Sequence, residues 1–83
     1  MIYLDGEQLQ ETVPAHLYLK ETLHLPEYYG MNLDSLYDCL TDFKNLTIIL
    51  SEPTVPTDTY GKFLRVIRAA AQEGDFLLEI RKK

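Results

Sequence analysis

Apolar and polar residues follow two rhythms along this chain, and each rhythm predicts its own kind of element. Ile2-Tyr3-Leu4 is a short β-type run that stops at the turn dipeptide Asp5-Gly6. From Pro14 the period lengthens. Ala15, Leu19 and Leu23 recur every fourth residue, with Tyr18 and Thr22 beside them, which places one buried stripe on a helix. Thr12 is a candidate cap for that helix, and Pro14 suits its first turn. Pro26 closes it, because the residue before a proline avoids helical geometry. Gly30 supplies backbone freedom, and Asn32 can cap a second helix that runs to about Phe43.

The run Leu46-Thr47-Ile48-Ile49-Leu50 is β-branched and almost continuously apolar, as expected of a strand buried on both faces. Ser51 to Thr57 holds Pro53 and Pro56 and reads as a loop. Thr57 or Asp58 can cap a third helix. Its apolar positions are Tyr60, Phe63, Leu64, Ile67, Ala70 and Ala71, and Lys62, Arg65 and Arg68 face away. Gly74 is placed as its C-terminal stop. Phe76 to Ile80 is the last strand. The order is strand, helix, helix, strand, helix, strand. Helical crossovers favour a parallel sheet with right-handed connections. The predicted architecture is a small three-layer-type α/β fold, a three-stranded parallel sheet with packed helices, in a single domain spanning residues 1–83.

Length and composition narrow the function. A chain of 83 residues buries only about 60% of its unfolded surface, enough for one small core. Hydrophobic content of 46% argues against disorder. No apolar run approaches the roughly 20 residues that cross a bilayer, and the N-terminus lacks the basic and apolar regions of a signal peptide. The lone Cys39 has no partner within the chain. A cytoplasmic location is therefore expected, with no membrane contact.

The net charge of −5 is unevenly spread. Residues 1–52 hold nine acids and two bases, a balance of −7, whereas residues 53–83 hold four acids and six bases, a balance of +2. An acidic half disfavours direct nucleic-acid binding, which requires groups that neutralise phosphate. Acidity alone serves solubility equally well.

The second predicted helix changes that balance. Counted from Asn32, it sets Asp34, Tyr37, Asp38 and Asp42 on one face, with Leu33, Leu36, Leu40 and Phe43 on the other. Acids four residues apart on one face repel. The helix dipole favours Asp34 near the start and opposes Asp42 near the end. Tyr37 among them is a large amphipathic group of the kind enriched at protein interfaces. Stability does not ask for this arrangement; a surface that meets a basic protein does.

Catalytic readings fail on their parts. His16 and His24 lie about 12 Å apart on a helix, too far to share a metal, and both are expected to be exposed polar residues. Cys39 has no His or Lys near it in sequence to lower its pKa and is expected to be a buried, unreactive thiol. There is no phosphate-cradling glycine loop and no GxSxG elbow. Asp34 and Asp38 on an exposed helix lack a pocket to set their pKa values apart, as a glycosidase pair needs. No catalytic residue, metal or cofactor is expected.

The stretch Leu-Pro-Glu-Tyr-Tyr-Gly-Met-Asn-Leu-Asp-Ser-Leu-Tyr-Asp-Cys-Leu, residues 25–40, closely resembles the signature of the barstar family, intracellular inhibitors of secreted ribonucleases of the barnase type. Gly6 to Leu9 and Asn45 to Leu50 agree with it as well. The resemblance is good over residues 2–51 and looser over the last helix and strand, after a loop several residues shorter. It implies inhibition by plugging a ribonuclease active site with the second helix and the loop before it. Asp38 would take the place of the RNA phosphate, and Asp34 would pair with a basic residue at the rim. Tyr28 would stack on the nuclease histidine. Gly30 and Asn32 would shape the loop, Tyr37 would pack beside Asp38, and Thr41 and Asp42 would complete the face. The implied partner is a basic extracellular-type or toxin ribonuclease, bound by a chain that is a monomer when free.

Two positions depart from the family pattern. Tyr37 stands where the family has tryptophan. Ala69, counted back from Gly74, stands where it has a contacting glutamate, unless Glu73 or Asp75 takes that place. The alternative is an immunity-type module for another basic toxin or a regulatory partner.

Overall fold

Three parallel strands form the sheet in the computed structural model, which describes residues 1–82. They are β1 (Ile2–Asp5), β2 (Lys44–Ser51) and β3 (Asp75–Arg81), in the order β1-β2-β3. Between β1 and β2 the chain makes a 3-10 turn (Gly6–Leu9) and two helices, α1 (Thr12–Thr22) and α2 (Leu33–Thr41); α3 (Asp58–Glu73) links β2 to β3. Tyr3 pairs with Ile49 and Ile49 with Glu79, so the strands run in register through the middle of β2.

The helices cover one face of the central strand; on the other face Tyr3, Leu77 and Glu79 are exposed, so the strand is not buried on both faces as expected. Ile48, Ile49 and Leu50 are all buried. Ile48 and Leu50 join Leu4 and Phe76 in the core shared with the helices, and Ile2, Leu46 and Leu78 pack at its margin. Ile49 points to the opposite face, alongside Tyr3 and Glu79. Each helix contributes one stripe to that core: Ala15 and Leu19 from α1, Leu36 and Leu40 from α2, and Phe63, Ile67 and Ala70 from α3. Burying one such leucine or isoleucine stabilises by about 1.5–3 kcal/mol, which is why this periodicity survives in so short a chain.

Several local expectations are corrected. Thr12 lies inside the first turn of α1; Glu11 holds the cap position without a side-chain hydrogen bond. That helix stops at Thr22, well before Pro26, and the chain leaves it through His24 at φ 54°. The residue before α2 in the left-handed region is Met31 (φ 56°), not Gly30, and α2 ends at Thr41 rather than Phe43. Gly74 ends α3 at φ −90°. Its need for glycine is space, since a Cβ there would lie 3.0 Å from the Ala70 carbonyl oxygen and 3.3 Å from the Thr41 Cα. Asn32 and Thr57 do cap α2 and α3, accepting from the backbone N–H of Ser35 and Tyr60.

Gly6, expected only as part of a turn, passes so close to the end of β2 that a Cβ would sit 2.3 Å from the Ser51 carbonyl oxygen. Among the described residues no helix is long and apolar enough to cross a membrane.

Candidate functional site

Two networks hold the loop between α1 and α2 in place, one buried and one exposed. The buried one overturns the expectation that His16 is a surface residue. Its imidazole is 2% exposed. It packs edge-on against the Phe63 ring, centroid to centroid 4.9 Å, and its Nδ1 is hydrogen-bonded to the Tyr29 hydroxyl. Burial lowers the His16 pKa and pushes the Tyr29 phenol up to about 12, with Cys39 adding to the rise. The bond thus joins a neutral imidazole to a phenol that keeps its proton, and the histidine tautomer sets which of the two donates. The loop is thereby fastened to α1 and α3. His24, by contrast, is exposed as expected.

The exposed network ties the loop to the first turn of α2. Asn32 Oδ1 accepts from the Ser35 N–H at 2.8 Å, and its Nδ2 donates to the Gly30 carbonyl at 3.1 Å. Ser35 Oγ accepts from the Gly30 N–H at 2.8 Å. The orphan donors of a helix start are satisfied by the same side chains that fold the loop back onto it. A Cβ at Gly30 would lie 3.0 Å from Asn32 Nδ2 and 3.4 Å from the Ser35 Cβ, so those side chains would have to shift slightly to admit one.

Most of the predicted site residues, on α2 and the loop before it, are exposed. Tyr28 projects into solvent, 78% exposed, while its neighbour Tyr29 is 4% exposed. Gly30, Asn32, Asp34, Asp38 and Asp42 are exposed. Asp38 and Asp42 both reach the neighbourhood of Cys39, where, after burial itself, they push the thiol pKa up. Cys39 is therefore buried and held protonated, as the sequence predicts of it.

Two of the predicted residues are less available. Tyr37 is half-buried and packs on the core margin, so only part of its ring can face a partner. Thr41 is half-buried too, and its hydroxyl donates to the Asp38 carbonyl at 2.8 Å. On α3, Ala69 is exposed, as are Glu73 and Asp75 on either side of Gly74.

Ser35 and Tyr29 were not among the expected site residues, and His16 was expected only as an exposed polar residue. For Ser35 a signal existed: a hydroxyl at the third position after a cap asparagine. For His16 and Tyr29 none did, because two adjacent tyrosines do not say which turns inward. Among the described residues no group of three His, Cys, Asp or Glu side chains comes together as a metal site. What the site can do chemically is present fixed carboxylates and a phenol ring to a complementary basic surface.

Two comparisons bear on this surface. The family model described as Barstar (barnase inhibitor) matches residues 1–81. A protein of Bacillus subtilis (strain 168) named "Putative ribonuclease inhibitor YrdF" is 36% identical over 78 residues, covering 87% of this chain and 86% of the relative.

Proposed function

This chain belongs to the barstar family, and from that premise we propose that it inhibits a barnase-like ribonuclease by docking the exposed face of α2 and the loop before it into the enzyme's active site. The observation that carries the reading is the joining of exposed Asp34, Asp38 and Asp42 to a loop already latched by Ser35, Asn32 and Tyr29. A ribonuclease cleft is lined by cations that hold phosphate. A carboxylate presented on a rigid helix meets them with charge-assisted hydrogen bonds, and little ordering entropy is lost because the loop is preformed.

The roles divide along the helix. Asp38, in the middle of α2, takes the phosphate position, and Asp34 reaches a cation at the rim. Tyr28 lays its exposed ring on the enzyme's catalytic histidine. Gly30 and Asn32 present backbone at close range, although the Gly30 N–H is already used by Ser35. Tyr37 contributes a ring edge, Thr41 mainly holds the last turn, and Asp42 adds to the field. The negative first half of the chain steers encounter.

A second reading is favoured by Ala69. Where the family places a contacting glutamate, this chain has an exposed methyl group, so the cognate target is a basic ribonuclease or toxin whose cleft lacks the matching cation. Cleavage of an RNA substrate by a panel of small microbial ribonucleases tests both. The parent protein is expected to suppress at least one of them, and Asp38→Ala to weaken that inhibition by at least about 2 kcal/mol. Equal inhibition by parent and Asp38→Ala would remove the assigned mechanism.

A further inference from the structure

The outer edge of β3 carries a pattern that matches itself. β3 pairs only with β2, so among the described residues no strand lies along its other edge. An unpaired edge is a template for a further strand, and proteins usually blunt it by shortness, proline, lysine or a bulge. β3 is seven residues long, Asp-Phe-Leu-Leu-Glu-Ile-Arg. It contains neither proline nor lysine, and the one register shift in its ladder falls between Lys44 and Leu46 of β2.

Two bonds at its ends show which backbone groups are free. The Asp75 N–H donates to the Phe43 carbonyl, and the Arg81 carbonyl accepts from the Glu52 N–H at 2.8 Å. Phe43 and Glu52 flank β2. Alternate residues of a parallel strand turn to the same edge. The odd-numbered residues of β3 therefore bond toward β2, and Phe76, Leu78 and Ile80 hold their N–H and C=O groups outward.

We propose that β3 pairs antiparallel with β3 of a second copy of this chain, about a two-fold axis at Leu78. Leu78 then faces itself and Phe76 faces the second copy's Ile80, so the outward N–H and C=O groups are the ones that exchange bonds. In this register Asp75 stands opposite the second copy's Arg81, and the same contact repeats across the axis. Moving one step in either direction loses the match. One step sets Asp75 against Glu79, and the other sets Glu79 against its own copy; like charges directly opposite destabilise. The strand's charges thus favour this register, in which Arg81, 3.1 Å from Glu79 of its own strand, also meets the second copy's Asp75.

Leu77 is 70% exposed and comes to lie diagonal to the second copy's Leu77. Half-buried Leu78 and Ile80, beside Ala71 of α3, lose water along the new seam. One strand edge covers less area than the roughly 1,600 Å² of a standard stable interface, so the dimer forms only at high concentration. This departs from the monomer expected of the free chain. None of the acids on α2 lies in this edge.

Sedimentation equilibrium of the full chain up to about 1 mM tests the proposal. The parent is expected to shift from monomer toward dimer mass as concentration rises. R81D sets like charges against Asp75 on both sides of the axis and is expected to stay monomeric with an unchanged far-ultraviolet spectrum. D75R/R81D exchanges the two charges and is expected to restore the dimer. A parent that stays monomeric throughout, an R81D variant that dimerises as the parent does, or a folded D75R/R81D variant that stays monomeric would each overturn it.

Discussion

Tyr29 and His16 meet inside the core, thirteen residues apart in sequence, with the phenol hydroxyl hydrogen-bonded to the imidazole Nδ1. This bond joins the loop that carries exposed Tyr28 to the helix at the back of the molecule. Its consequence is a fold that depends on histidine being neutral.

That dependence sets the pH response. The His16 pKa is lowered by burial, so the unfolded chain binds a proton more readily than the folded one, and stability rises with pH where the two differ. The contribution is complete above the unfolded value near 6.5 and is lost as pH falls from there through the lowered folded value. Thermal melts from pH 8 to pH 5 are expected to show a melting temperature that drops below about pH 6.5. His16→Gln, less stable at neutral pH, is expected to show a flatter profile over that window. Equal slopes would mean that His16 is not the group responsible.

The acids on and before α2 differ in what their loss should do. In complexes with the cognate ribonuclease, Asp38→Ala is expected to raise the dissociation rate. Glu27→Ala, whose side chain is wholly exposed and 3.9 Å from Lys20, is expected to leave that rate unchanged, as exposed ion pairs contribute little. The association rate of the parent should fall steeply from low to high salt. Stopped-flow measurements read both, and a salt-independent rate would contradict docking by this face.

Ser35 is expected to govern the order of the loop rather than the fold. Ser35→Ala removes the acceptor of the Gly30 N–H, at a cost of about 1 kcal/mol. Amide exchange should quicken at Gly30 and its neighbours, with protection in β2 unchanged. Slower inhibition of the same ribonuclease should accompany it.

Gly6→Ala tests the tight passage beside β2. A Cβ would fall 2.3 Å from the Ser51 carbonyl oxygen and 2.8 Å from the Pro53 Cδ. Backbone has to move, so a loss of about 1–3 kcal/mol is expected. Urea unfolding measures it, and a loss no larger than that of Gly61→Ala, where a Cβ meets nothing, would show that the strand end yields freely.

Much of the site was legible because its signals are local. Asn32 caps α2 whatever surrounds it, and acids every fourth residue share a face on any helix. The residues around Leu25 to Leu40 also resemble the family signature that the match over residues 1–81 bears out. Less legible was where each loop residue turns. Gly30 looked like the conformational hinge, yet Met31 takes the left-handed turn, while Gly30 lies close under the Asn32 and Ser35 side chains. Tyr37 seemed to belong wholly to the acidic face. Its packing against the core leaves it half under the surface.

Sequence by itself determined the elements, their order, the parallel sheet and the acidic face, since periodicity, capping and charge spacing act within a few residues. Only the tertiary structure decided that His16 is buried and neutral, that Tyr29 anchors while Tyr28 is presented, and that β3 has an open edge. Those depend on contacts between residues far apart in the chain, where a side chain's role is set by what packs against it.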